Sequence, residues 1–230
     1  MEKTRTIRTW GSFLLLLLLL FVFLIWNILA GSVKLPVSEI LEILRGRGDG
    51  TQSRILLQIR LPRLLSALIL GGALSVSGYL LQTFFHNPIA GPFVLGISSG
   101  AKLCVSIVMI LLLSRGLVSS SAVLIAAAFV GAMGSMGFVL AVSQKVKRMS
   151  MLVICGVMIG YICTAATDLL VTFADDSNIV NLHNWSMGSF SGMSWENVGT
   201  MAIVCGAALV LVFFLSKPIR AYQLGEVYAQ

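Results

Sequence analysis

The chain has 230 residues, of which 57% are apolar and 11% charged, against about a quarter charged in ordinary soluble domains. One water-soluble core does not use that much apolar surface, which excludes a soluble enzyme or binding module as the bulk of the chain. The net charge of +7 comes from 16 Lys and Arg in short clusters between apolar runs, a topology signal and not a nucleic-acid face.

A helix crossing roughly 30 Å of hydrocarbon uses about 20 mostly apolar residues. Runs of that kind recur along the chain and predict an all-α, polytopic membrane protein with six spans. The first runs from about Gly11 to Ala30, behind Lys3, Arg5 and Arg8. Basic residues before an apolar run also mark secretory signals, but the run is long and more spans follow, so a retained helix is expected. Residues 34–60 read as an external loop. It holds a short surface helix starting near Pro36, with Ile40, Leu41, Ile43 and Leu44 on it, and a turn at Gly46, Gly48 and Gly50.

The second span is expected from about Leu64 to Phe85, with Pro62 in its first turn, where a missing N–H costs nothing. Gly71, Ser75 and Gly78 give it a smooth face for another helix. His86 to Gly96 then breaks the helix at Pro88 and Pro92. Such a break at membrane depth is tolerable only where backbone is buried in protein or lines a wet cavity, so the segment is a candidate gate. A third span follows, Leu95 to Leu113, then Ala122 to Val142 and Met151 to Phe173, the latter two flanking a basic turn at Lys145, Lys147 and Arg148. Residues 174–196 read as a second external loop, Val198 to Leu215 as the sixth span, and 217–230 as a cytoplasmic tail. With the N-terminus inside, the basic turn and the tail are also inside, and the Lys and Arg bias favours that orientation only weakly.

Several residues carry chemistry worth weighing. Arg60 and Arg63 are either interfacial arginines snorkelling to headgroups or a docking pair for carboxylates of a soluble partner. In the fifth span Gly156, Gly160, Thr164 and Asp168 form one small and polar stripe. Asp168 is either a functional intramembrane acid or a solvated one near the interface. Counted from the ends of their apolar runs, Lys102 and Asp168 lie too far apart in depth to pair. Gly96-Ile-Ser-Ser-Gly100 matches the G-x-S-x-G nucleophile elbow by letter, so an intramembrane serine hydrolase has to be considered, though the segment opens an apolar helix and the chain's histidines are His86 and His183. Cys104, Cys155, Cys163 and Cys205 sit inside apolar runs without metal-ligand spacing, so neither a disulfide framework nor a metal site is expected. No Gly-x-x-x-x-Gly-Lys-Ser/Thr occurs, so any ATP would be hydrolysed by a separate subunit. A secondary transporter or channel with a midplane site near Asp168 is the alternative to an ATP-driven one.

Arg60-Leu-Pro-Arg63, Gly71-Gly-Ala, Ser77-Gly78, Gln82, Asn87-Pro-Ile-Ala90, Pro92, Leu95-Gly96 and Gly100-Ala101, in that order, resemble the signature of the FecCD family of ABC importer permeases. Trp185-Ser-Met-Gly-Ser-Phe, Ser194-Trp195 and Leu224-Gly225-Glu226 extend the resemblance. It implies the N-terminal part of a permease domain covering residues 1–230, in a bacterial cytoplasmic membrane, without cofactor. The cargo would be a ferric siderophore, haem, vitamin B12 or similar compound. The implied partners are an ABC ATPase, an extracytoplasmic binding protein, a second permease subunit and membrane lipid. Arg60 and Arg63 would dock the binding protein, and Asn87 and Ile89, with Met149 and Ser150, would form a cytoplasmic gate. Gly156, Gly160, Thr164 and Asp168 would line the path or support it, and Leu224, Gly225 and Glu226 would begin the ATPase coupling surface. Family members have about ten helices, so this chain is expected to lack the second half-repeat.

Overall fold

The computed structural model describes residues 2–47, 50–89, 91–113, 120–145, 149–174 and 176–224. Every regular element in them is helical: α1 Glu2–Leu29, α2 Val37–Leu44, α3 Thr51–Arg54, a π turn Ile55–Arg60, α4 Leu61–Phe85, α5 Ile97–Leu113, α6 Ser121–Ser143, α7 Met149–Thr172, α8 Asp176–Met187, α9 Trp195–Phe214 and α10 Ser216–Leu224. Among the described residues, five stretches are long and apolar enough to cross a membrane: Thr6–Leu29, Thr51–Phe85, Ala122–Ser143, Met151–Thr172 and Trp195–Phe214. The expected third span is a shorter apolar helix, because the Pro- and Gly-rich joint before it takes up Leu95 and Gly96. The chain divides into two compact units, Met1–Gly71 with Phe190–Gly206 and Gly72–Ser189 with Ala207–Gln230.

In the first unit, α1 is a leucine-rich helix whose side chains from Phe13 to Phe23 are all exposed. In water that would be untenable; in lipid it is the expected state of a spanning helix. Trp10 and Trp26, both exposed, lie about 24 Å apart along its axis and suit the two interfacial belts. α2 follows an extended Pro36 and buries Ile40 and Ile43 with Leu35 and Leu56, against Ile28, Leu29 and Leu57.

The second long helix does not begin near Leu64. Helical backbone starts at Thr51 and runs unbroken through the π turn to Phe85, so Pro62 lies well inside a helix and not in its first turn. The widened turn explains how. The Leu61 N–H bonds to Leu56 O, five residues back, and the next bond in that register would run from residue 62 to Leu57 O. Pro62 has no N–H to give. The indole Nε1 of Trp195 donates to Leu57 O instead, at 2.9 Å. Removing only that donor, as in Trp195→Phe, is expected to lower stability by about 1 to 2 kcal/mol while leaving the ring packing in place, measurable by thermal unfolding in detergent.

The second unit holds two apolar clusters. Phe85, Leu95, Val139 and Leu152 form one, flanked by Leu81, Phe84, Ile97, Val153 and Ile159. Val105, Met109, Ala127 and Leu182 form the other. Leu182 belongs to α8, a helix inside what reads as a polar loop at 174–196. Its own sequence, DSNIVNLHNWSM, has weak apolar periodicity, and tertiary burial of Leu182, with Trp185 packed against the same cluster, is what seats it. α8 ends at Gly188, which takes a left-handed φ of +71°.

Candidate functional site

The predicted site residues that the structure describes fall in three places. The first is the arginine pair. Arg60 is only 7% exposed. Its Nη1 donates to Ile28 O and, at 3.4 Å, to Leu29 O, while its Nη2 donates to Val33 O. These carbonyls terminate α1 or follow it directly, where helix geometry leaves acceptors without N–H partners. A guanidinium, with several donors in a rigid plane, is suited to bind three at once. Gly31 makes room for it: a Cβ there would meet Arg60 Nη2 at 2.5 Å. Arg63 is partly exposed and donates from Nη2 to Ser191 O at 2.7 Å; its Nε is buried without a partner. Both arginines border a cavity of about 460 Å³ that also involves Asn27, Ser32 and Phe190. The geometry gives one arginine an internal structural task and leaves the other at the rim.

The second place is the break between α4 and α5. α4 ends in a Schellman turn, with His86 N–H on Thr83 O and Asn87 N–H on Gln82 O. His86 takes the left-handed position, φ +48°, usually held by glycine. The Asn87 side chain accepts from Ile89 N–H at 3.0 Å, an Asx turn that sets up the bend at Pro88. Ile89 is 75% exposed and Phe93 83%. Pro92 to Leu95 makes one further turn, closed by Gly96 N–H on Phe93 O and Ile97 N–H on Pro92 O, with Gly96 at φ +70°. Ala90 lies outside the described residues, as do the side chains of Met149 and Ser150, the second gate element.

The third place is the glycine stripe, where α5 starts between α6 and α7. A Cβ on Gly156 would lie 2.8 Å from Leu95 Cα, and one on Gly96 2.6 Å from Gly156 O and 2.7 Å from Gly160 N. On the other side a Cβ on Gly131 would lie 2.1 Å from Gly100 O, and one on Gly100 1.9 Å from Ser135 Oγ. Small residues at four-residue spacing thus let three backbones meet, as in membrane helix pairs generally. The letters G-x-S-x-G therefore serve packing. A helical turn and not a strand precedes Gly96, and the partner found beside Ser99 Oγ is Thr164 Oγ1, at 3.5 Å, a hydroxyl and not an imidazole base. Thr164 also bonds back to Gly160 O at 2.9 Å. α5 and α7 run in the same direction here, so Lys102 and Asp168 each lie about one turn past the Ser99–Thr164 contact. Their depths are therefore closer than the ends of the apolar runs suggested, because α5 starts part-way along α7. Asp168 is exposed.

Of the coupling residues, Gly225 and Glu226 lie outside the described residues, as does the side chain of Leu224. The preceding helix is described, and it contains a contact that sequence reasoning missed: Gln223 Nε2 donates to Tyr79 Oη and Thr83 Oγ1. A pair of hydroxyls four residues apart in an apolar span was its signal. All four cysteines are free, with Cys163 Sγ 4.0 Å from Ser135 Oγ inside the packed interface. Among the described residues no cluster of three His, Cys, Asp or Glu side chains could hold a metal ion.

Long apolar helices, a helix broken twice by proline, and small-residue packing on both sides of the helix that follows define an all-helical, multi-pass membrane protein. The chain belongs to the FecCD transport family, whose pattern matches residues 17–230. It is 35% identical over 228 residues to the vitamin B12 import system permease protein BtuC of Klebsiella pneumoniae, covering 99% of this chain and 65% of that one. It is 32% identical over 173 residues to the hemin transport system permease protein HmuU of Yersinia pestis, covering 75% of this chain and 52% of that one. Its fold is similar to a solved structure described as an inward-facing conformation of a metal-chelate type ABC transporter, with a TM-score of 0.76, 26% identity and coverage of 93% of this chain and 65% of that one. The chain thus spans less than two thirds of the length of these relatives.

Proposed function

We propose that this chain is a transmembrane permease subunit of an ATP-driven importer for iron-siderophore or related metal-chelate compounds. The cargo would be handed over by an extracytoplasmic binding protein, with ATP hydrolysed by a separate ABC subunit and the path shared with a second permease subunit. The observation that carries the reading is the α4–α5 joint. A backbone that leaves helix between two apolar helices is held by glycine contacts to α7 while presenting exposed Ile89 and Phe93. Such a joint suits a gate that rocks as a body between two packings.

In this reading the chain lies in the bacterial cytoplasmic membrane with its N-terminus inside. Asn87 and Ile89, with Met149 and Ser150, form the cytoplasmic gate. Gly156 and Gly160 support it through Leu95 and Gly96, and Thr164 and Asp168 continue the stripe along the path. Leu224, Gly225 and Glu226 open the surface that receives the ATPase stroke. The binding protein docks on the face bearing Arg60 and Arg63. Arg60, committed to the end of α1, holds that face in shape, and Arg63 at the rim meets the partner's carboxylates.

The test is uptake into proteoliposomes holding this chain with the ATPase subunit and the binding protein. Accumulation of a ferric siderophore that requires ATP is expected. Uptake driven by an ion gradient without ATP would overturn the reading in favour of secondary transport through Asp168. Arg63→Glu is expected to weaken docking of the binding protein by about tenfold or more, and docking at the wild-type level would remove that role.

A further inference from the structure

We propose that Gln223 is a strut that transmits movement of α10 to the gate through the last turns of α4, a role that rests on the permease reading and assigns it a specific positioning residue. The Gln223 amide donates to Tyr79 Oη at 2.5 Å and to Thr83 Oγ1 at 3.2 Å. One NH₂ group has two hydrogens, so both bonds form at once. Their acceptors are four residues apart and therefore one above the other on the same face of α4. Two bonds at different heights resist sliding of α10 along α4 as well as separation from it, which one bond would not.

What makes the link consequential is where it lands. Thr83 is also the residue whose backbone carbonyl accepts the His86 N–H in the Schellman turn, and Gln82 O accepts from Asn87 N–H. The strut thus grips the turn of α4 from which the broken segment hangs, immediately before His86 at its strained φ of +48°. On the other side, α10 follows α9 after a single residue, Leu215, and Ile219 N–H bonds to Leu215 O, so α10 continues from α9 without slack. A push on α10 therefore reaches the Asn87–Ile89 turn through hydrogen bonds. Hydroxyls both donate and accept, so a carboxylate at position 223 would keep both links with the donors reversed, and an apolar side chain of similar length would keep neither.

Two arms test this, one independent of transport. In membranes holding the full chain, Gln223→Cys with Thr83→Cys is expected to give an intramolecular product with a short bifunctional methanethiosulfonate, identified by peptide mapping. Its absence would overturn the proximity on which the strut depends. In the proteoliposome system, Gln223→Leu is expected to cut uptake by about tenfold while ATP hydrolysis changes by less than about twofold. Gln223→Glu is expected to retain most uptake, and Tyr79→Phe with Thr83→Val to reproduce the leucine variant. Parallel loss of hydrolysis and uptake, or a glutamate variant as impaired as the leucine one, would overturn the coupling role. A wild-type complex without ATP-driven uptake would instead remove the permease reading, and the cross-linking result would show which of the two had failed.

Discussion

Gly96→Ala is expected to cost about 2 to 5 kcal/mol of stability and to reduce sharply the yield of folded protein in detergent. Two independent penalties act at one position. The backbone sits at φ +70°, where an L side chain costs about 1 to 2 kcal/mol. The added Cβ would also lie 2.6 Å from Gly156 O, 2.7 Å from Gly160 N and 3.0 Å from Gly160 Cα. All three are backbone atoms of a continuous helix and cannot swing aside, so α5 would have to move off α7. The α4–α5 joint would move with it. Gly134→Ala provides the contrast: a Cβ there meets nothing within 4 Å, and an exposed helical Gly→Ala change is expected to be neutral or stabilising by up to about 1 kcal/mol. Thermal unfolding of the two variants side by side checks both numbers. Equal stability of the two would mean that the glycine contacts do not hold the joint.

Arg60→Leu is expected to destabilise the first unit by about 3 kcal/mol, since charge-assisted hydrogen bonds to the carbonyls of Ile28, Leu29 and Val33 are lost together. Arg60→Lys recovers only part, because a compact ammonium does not reproduce a planar fork reaching several acceptors. Gly31 supplies a coupled check. Gly31→Ala alone crowds Arg60 Nη2, but on the Arg60→Leu background that crowding disappears, so the two changes are expected to be non-additive by about 0.5 to 2 kcal/mol. Additivity would show that Gly31 and the guanidinium do not share this contact. A variant at Arg60 therefore perturbs the end of α1 itself, which makes Arg63→Glu the cleaner probe of the docking proposed above.

Helix number and position were largely legible in the chain, because a spanning helix is set by local composition over about 20 residues. Errors gathered where composition is a poor guide. The run from Thr51 to Arg60 contains Gln52, Ser53, Arg54, Gln58 and Arg60 and reads as loop, yet it is helical since Leu56 is buried among Leu35, Ile40 and Ile43. α8 likewise depends on a pocket for Leu182 made by residues distant in sequence. For the candidate site, the break at Pro88 and Pro92 and the stripe at Gly156 and Gly160 were visible as patterns. That the break rests on the stripe was not, because spacing along one helix does not name its partner.

The sequence by itself determined that this is a helical membrane protein of the FecCD family, with apolar runs in lipid and an ordered motif from Arg60 to Ala101, because both properties are carried by residues close together in the chain. Only the tertiary structure decided what individual polar groups do. Arg60 is the cap of α1, Trp195 the donor that Pro62 lacks, and Gln223 a link between α10 and the last turns of α4. Each of these roles is a hydrogen bond across at least 27 residues, and spacing along one helix does not name a partner that far away; for Arg60, buried against the end of α1, leaving the guanidinium unpaired would also be costly.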